Sequence, residues 1–101
     1  MILAIKPKTR SYKRKSTQQL ERVFKGVANH RRIDILLLIA KEAGINLESI
    51  AETLNCNIKT ISEHTRRLVI AGLVNKKYLG KSVTHTLSPY GKKVSKILKN
   101  F

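Results

Sequence analysis

Apolar residues recur along the chain with two different periods, and the changes between them divide it into elements. Leu20, Val23, Phe24 and Val27 fall on one face of a helix, with Thr17 placed to cap its start and Gly26 weakening its end. Asn29 opens a second helix. Its run Ile33, Ile35, Leu36, Leu37, Leu38, Ile39, Ala40 is apolar nearly all round, which predicts a helix in the middle of the domain, stopped by Gly44. Asn46 caps a third helix with Ile50, Ala51 and Leu54 turned inward. Asn55, Cys56 and Asn57 form a turn, and Asn57 caps a fourth helix that runs to about Ala71 and stops at Gly72. The period then drops to two. Val74 and Tyr78 lie on one strand, Val83, His85 and Leu87 on the next, and Leu79-Gly80 marks the turn between them. Ser88 and Pro89 supply the cap and first position of a last helix, one face of which carries Tyr90, Val94, Ile97, Leu98 and Phe101. Residues 1–16 contain Pro7 and show no helical period; they read as an arm, with a short strand at Ile2–Ile5.

The expected fold is therefore mainly α, about five helices plus a two-stranded β-hairpin, in one domain over residues 17–101 behind a basic arm over 1–16. Two short helices joined by a tight turn and followed by a basic hairpin have the layout of a winged helix-turn-helix. At about 100° per residue, Ile61, Thr65, Leu68 and Gly72 form the inner side of the fourth helix. Lys59, Glu63, Arg66 and Ile70 point the opposite way, and Thr60, Ser62 and Arg67 lie on the flanks. Arg66 can donate two hydrogen bonds to guanine, Thr60 and Ser62 can bond bases or phosphates, and Glu63 can accept from the amino group of cytosine. Glu63 also repels phosphates unless it meets a base donor. Lys76, Lys77 and Lys81 on the hairpin are placed to reach phosphates, which gives affinity and orientation rather than sequence choice. For each of these residues alone, a solvated surface side chain is the plain alternative.

Charge sharpens the reading. The chain has 101 residues, with 21 Lys and Arg against 6 Asp and Glu, a formal net charge of +15. All the acids lie between residues 21 and 63, where the bases match them, so the excess sits at the two ends. Such a chain is drawn to a polyanion, nucleic acid first and an anionic membrane second. No apolar run exceeds Ile35–Ala40, far short of a membrane span, and the N-terminal charges follow their apolar residues, the reverse of a secretory signal. The expected location is cytoplasmic, on the nucleoid. In the arm, Arg10, Lys13, Arg14 and Lys15 are candidates to touch the DNA backbone or minor groove, with a solvated tail as the alternative. The single cysteine, Cys56, excludes an internal disulfide and reads as a small core hydrophobe. His30, His64 and His85 lie on separate elements and read as structural or surface groups. No catalytic constellation, cofactor motif or small-molecule site is evident.

Several of these residues together resemble the ArsR-type family of prokaryotic transcriptional regulators, with MarR-like and related winged-helix families close beside it. Ala28, Asn29, Arg32, Ile35 and Leu36 match its opening motif. Ile50-Ala51-Glu52-Thr53-Leu54, then Thr60-Ile61-Ser62-Glu63-His64-Thr65, Leu68 and Ala71-Gly72-Leu73-Val74 match its helix-turn-helix. The match covers roughly Phe24 to Ser88. It implies a homodimer on an imperfect inverted repeat of duplex DNA, and the leading functional reading is a DNA-binding regulator, most simply a repressor. It also implies a dimer interface from the first and last helices: Leu20, Val23, Phe24, Tyr90, Val94, Ile97, Leu98 and Phe101. Intramolecular packing is the alternative for those residues. Metal-sensing members carry paired cysteines in the third helix or Asp and His ligands in the last. Here Ser49, Ile50 and Ala51 stand in the third helix, and the charged residues of the last are all lysines, so no metal is expected. Thr65 replaces a core leucine of the family pattern, and Val69 and Ile70 replace charged surface residues. The competing functions are a broad-specificity architectural DNA-binding protein, and a winged helix used for protein or RNA contact. Few aromatics are free to stack bases, two of the three tyrosines being expected to pack at least in part.

Overall fold

A computed structural model of the chain describes residues 14–101. The expected strand at Ile2–Ile5 and the arm candidates Arg10 and Lys13 lie outside them. Five helices follow in order, α1 (Thr17–Val27), α2 (His30–Lys41), α3 (Leu47–Thr53), α4 (Ile58–Ile70) and α5 (Pro89–Lys99), with strands β1 (Ile45–Asn46), β2 (Val74–Leu79) and β3 (Ser82–Leu87) between them.

The caps are local in origin. Asn29, Asn46, Asn57 and Ser88 each accept a hydrogen bond from a backbone N–H in the first turn of their helix, as their positions predict. At α1 the cap is Ser16 rather than Thr17. The Ser16 hydroxyl accepts from the Gln19 N–H at 3.1 Å, and the Gln19 side chain accepts from the Ser16 N–H at 2.8 Å. This reciprocal box needs an amide or acid three residues after the cap, and the residue three after Thr17 is Leu20.

The sheet departs from the expected two strands. Its order is β1-β3-β2, all antiparallel, with Ile45 opposite His85 and Asn46 opposite Thr84. A two-residue strand leaves no alternation to read, and it pairs because α2 ends beside β3. The Gly44 N–H donates to the His85 carbonyl at 2.8 Å.

Ile35, Leu36 and Ile39 of α2 have no solvent exposure, and neither do Ile50, Ile61, Leu68 and Leu73 around them. Each such side chain contributes about 1.5–3 kcal/mol of burial free energy. Thus α2 is the central helix that its apolar run predicts, and α4 lies across it with Ile61, Thr65 and Leu68 inward.

Two close approaches set the remaining angles. Gly26 lets α1 press on the end of α4, because a Cβ there would run into the Ala71 methyl. Gly91 lets α5 lie against the Leu73 carbonyl in the same way. The Ser88 hydroxyl fastens that corner, donating to the Gly72 carbonyl at 2.6 Å and accepting from the Gly91 N–H at 3.0 Å. Cys56 is half-buried against the core, as expected of a small hydrophobe.

Candidate nucleic-acid interface

Burying Ile61, Thr65 and Leu68 forces the opposite side of α4 outward. Lys59, Thr60, Ser62, Glu63, Arg66 and Arg67 are all exposed on it. Asn57 fixes the start of the helix by accepting from the Lys59 N–H at 2.7 Å. The outer face is therefore polar from its first turn.

Its charges are not independent. The Glu63 carboxylate accepts from Arg66 Nε at 3.2 Å and Nη2 at 2.8 Å, and from Arg67 Nε at 3.1 Å. Those bonds, from Arg66 first and Arg67 second, hold the Glu63 carboxyl below the usual carboxylate range, and Glu63 raises the Arg66 guanidinium in return. One carboxylate thus pairs with both arginines and offsets one of their two charges. The i+3 and i+4 spacing carried this signal in the sequence.

The wing places its lysines unevenly. Consecutive strand residues face opposite sides of a sheet. Lys76 pairs in register with His85 and Lys77 with Thr84, so Lys76 and Lys77 point away from each other. Lys76 and Lys81 line a small cavity of about 140 Å³ together with Ser62 of α4. The structure therefore joins Lys76 and Lys81 to the α4 surface and leaves Lys77 on the reverse side of the hairpin. Tyr78 is exposed near the tip, as is Leu79.

Behind this face lie two imidazoles. His85 is buried, and its Nδ1 meets the Ile45 carbonyl at 3.0 Å, which ties β3 to β1. Burial lowers its pKa, the Ile45 carbonyl opposes that, and Lys76 adds to it. His64 is half-buried on α4, lowered first by burial and then by Arg32, with Glu63 opposing. His30 is exposed. Among the described residues no group of three His, Cys, Asp or Glu side chains is placed to hold a metal ion. No helix among them is long and apolar enough to cross a membrane.

The residues expected at a dimer interface divide into two sets. Val23 belongs to the chain's own core, and Val94 and Leu98 pack against it. Leu20 is half-buried. Phe24, Tyr90, Ile97 and Phe101 remain outside, with Phe24 62% and Ile97 57% exposed. Ile70, at the end of α4, is 63% exposed. It lies beside Arg22 and Lys25 of α1, two cations that the sequence reading did not single out. Of the arm candidates, Arg14 is exposed, and the Lys15 ammonium sits 4.0 Å from the centre of the Tyr90 ring.

The model of the MarR family matches residues 28–78, a span that runs from the cap of α2 through α3 and α4 into the first strand of the wing. The chain belongs to the MarR family. No curated protein matches it. Among solved structures, this MarR-family chain is similar to the homodimeric winged helix-turn-helix DNA-binding domain of Mb0332 from Mycobacterium bovis, a possible ArsR-family transcriptional regulator. The two share 27% identity over 82% of this chain and 77% of that one, with a TM-score of 0.76. HlyU from Vibrio cholerae is 25% identical over 83% of this chain and 91% of its own, also with a TM-score of 0.76. The transcriptional repressor PagR of Bacillus anthracis, at 18% identity over 81% of this chain and 94% of its own, shares the fold with a TM-score of 0.74. ArsR-type and MarR-like proteins thus both stand among its relatives, as the residue motifs imply, and the fold is a winged helix-turn-helix with a three-stranded sheet.

Proposed function

We propose that this DNA-binding transcriptional regulator grips duplex DNA as a homodimer, α4 of each subunit in a major groove and the wing on the flanking backbone. The observation that carries the reading is the outer face of α4, where six polar or charged side chains stand exposed on a helix held by its own core. In the major groove Arg66 reads guanine once its fork leaves Glu63, and Thr60 and Ser62 bond bases or phosphates. Glu63 then meets an amino donor. Lys59, Arg67, Lys76 and Lys81 neutralise phosphates; Lys77 contributes to the general field.

Glu63 also favours sequence-specific binding over broad architectural binding. A carboxylate in the centre of the reading face costs affinity on every sequence that gives it no donor, and a broad binder gains nothing from that. Phe24, Tyr90, Ile97 and Phe101 supply an exposed apolar face for the second subunit. Residues 17–101 form the binding domain and residues 1–16 an arm that adds backbone contacts. The simplest regulation is repression by occlusion of a promoter, in the cytoplasm and on the nucleoid, with no catalysis.

Selection from random-sequence duplexes tests this. It should return an imperfect inverted repeat, and binding to it should fall with salt at a log–log slope of about −7, for about 8 neutralised phosphates per dimer. Recovery of sequences with no common element, or affinity indifferent to salt, would refute it.

A further inference from the structure

On the reverse of the domain, the last turn of α2, the end of β3 and one flank of α5 enclose an open groove of about 610 Å³. Ala40, Ala43 and Leu87 supply its apolar floor, and Lys92, Lys96 and Lys99 its edge. The three lysines recur at i, i+4 and i+7, so they form one line about 10 Å long on α5. Among the described residues none of them takes part in an ion pair, and Glu42, next to Ala43, makes none with them. No acid occurs between residues 64 and 101.

The groove is separate from both surfaces already described. Along α5 the lysine line lies roughly 150° around the helix from Tyr90 and Ile97. A second subunit on that apolar face leaves the groove open. The wing tip is at the other end of β3, about 17 Å away along the strand.

We infer that this groove is a docking site for an acidic amphipathic helix of a partner protein, with apolar side chains on the floor and carboxylates three to four residues apart facing the lysines. Charge and shape choose the occupant. Duplex DNA would satisfy the lysines and leave the apolar floor uncovered. A fatty acid would cover the floor, but its single carboxylate meets one lysine of three. A helix with spaced carboxylates matches the floor and the whole line at once.

The test is a nuclear magnetic resonance titration of the full ¹⁵N-labelled chain with a synthetic helical peptide carrying leucines on one face and glutamates beside them. Amide shifts should gather at Ala43, Leu87, Ser95 and Lys96. Combined Lys92→Gln, Lys96→Gln and Lys99→Gln should weaken the peptide about tenfold, as expected for three exposed ion pairs, with far-UV circular dichroism unchanged. Replacing the peptide's leucines by serine should weaken it comparably. The inference is overturned if the shifts map to α4 and the wing, or if no shifts occur. It is also overturned if the serine peptide binds as well, if decanoate gives the same pattern more tightly, or if duplex DNA moves the groove resonances.

Discussion

Replacing Glu63 by glutamine probes the reading face more sharply than removing either arginine. The substitution keeps the size of the side chain and removes the charge that holds Arg66 at 2.8 Å and Arg67 at 3.1 Å. All three groups are exposed, so folding stability should barely change. The effect should appear on DNA. Each subunit frees one positive charge, hence two per dimer. If both become phosphate contacts, the log–log salt slope steepens by about 1.8. Between 50 and 200 mM salt the variant's advantage over the parent on random duplex should then shrink about twelvefold. Fluorescence anisotropy of a labelled random duplex across that range measures it directly. On a selected site the same variant should discriminate less, since a carboxylate that accepted from cytosine is gone. An unchanged slope together with unchanged affinity would refute the placement of this face against DNA.

Other substitutions test the scaffold. Thr65 is buried and among the described residues its hydroxyl finds no partner, so Thr65→Val should stabilise the domain by about 1 kcal/mol or more in urea unfolding; a loss of stability would show that the hydroxyl is bonded. Gly26→Ala should destabilise by about 1–3 kcal/mol despite its better helix propensity, because the new methyl meets Ala71, and adding Ala71→Gly should recover most of the loss. His64 and His85 both bind protons less readily when folded than when unfolded. The contribution of these two imidazoles to stability is therefore fully present above about pH 6.5, the unfolded imidazole value, and is lost as pH falls below it; denaturation midpoints that stay level or rise from pH 7.5 to 5.5 would contradict this. Ile97→Glu should give monomers in sedimentation velocity while circular dichroism stays native, and a persistent dimer would place the interface elsewhere.

Much of this architecture is legible in the residue pattern. The four predicted caps at Asn29, Asn46, Asn57 and Ser88 stand where local hydrogen bonding requires them, and the all-round apolar run of α2 predicted its central place. The cap of α1 was misplaced by one residue, since Ser16 and Thr17 are equally able and only Gln19 decides between them. Strand β1 was invisible because two residues carry no period; it exists through its tertiary neighbour β3. Within the candidate site, the side of α4 that faces outward followed from helical geometry alone. That Glu63 holds two arginines, and that Lys76 and Lys77 part company across the hairpin, were implicit in spacings of three, four and one. Spacing alone does not choose between such pairing and a solvated side chain; the positions of the side chains do. The contact of α1 with the end of α4 was not legible, since a glycine near a helix end signals weakness locally and only its neighbour Ala71 makes it a packing device.

Everything functional depends on α4 lying in a major groove with Arg66 on a base. Methylation interference reads that directly, because dimethyl sulfate modifies guanine N7, the major-groove atom that a guanidinium fork would use. On a selected fragment, methylation at one guanine in each half-site should abolish binding of the parent protein, and Arg66→Ala should bind more weakly and lose sensitivity at those guanines alone. Binding that ignores methylation throughout, with Arg66→Ala equally weak on every sequence, would contradict the account.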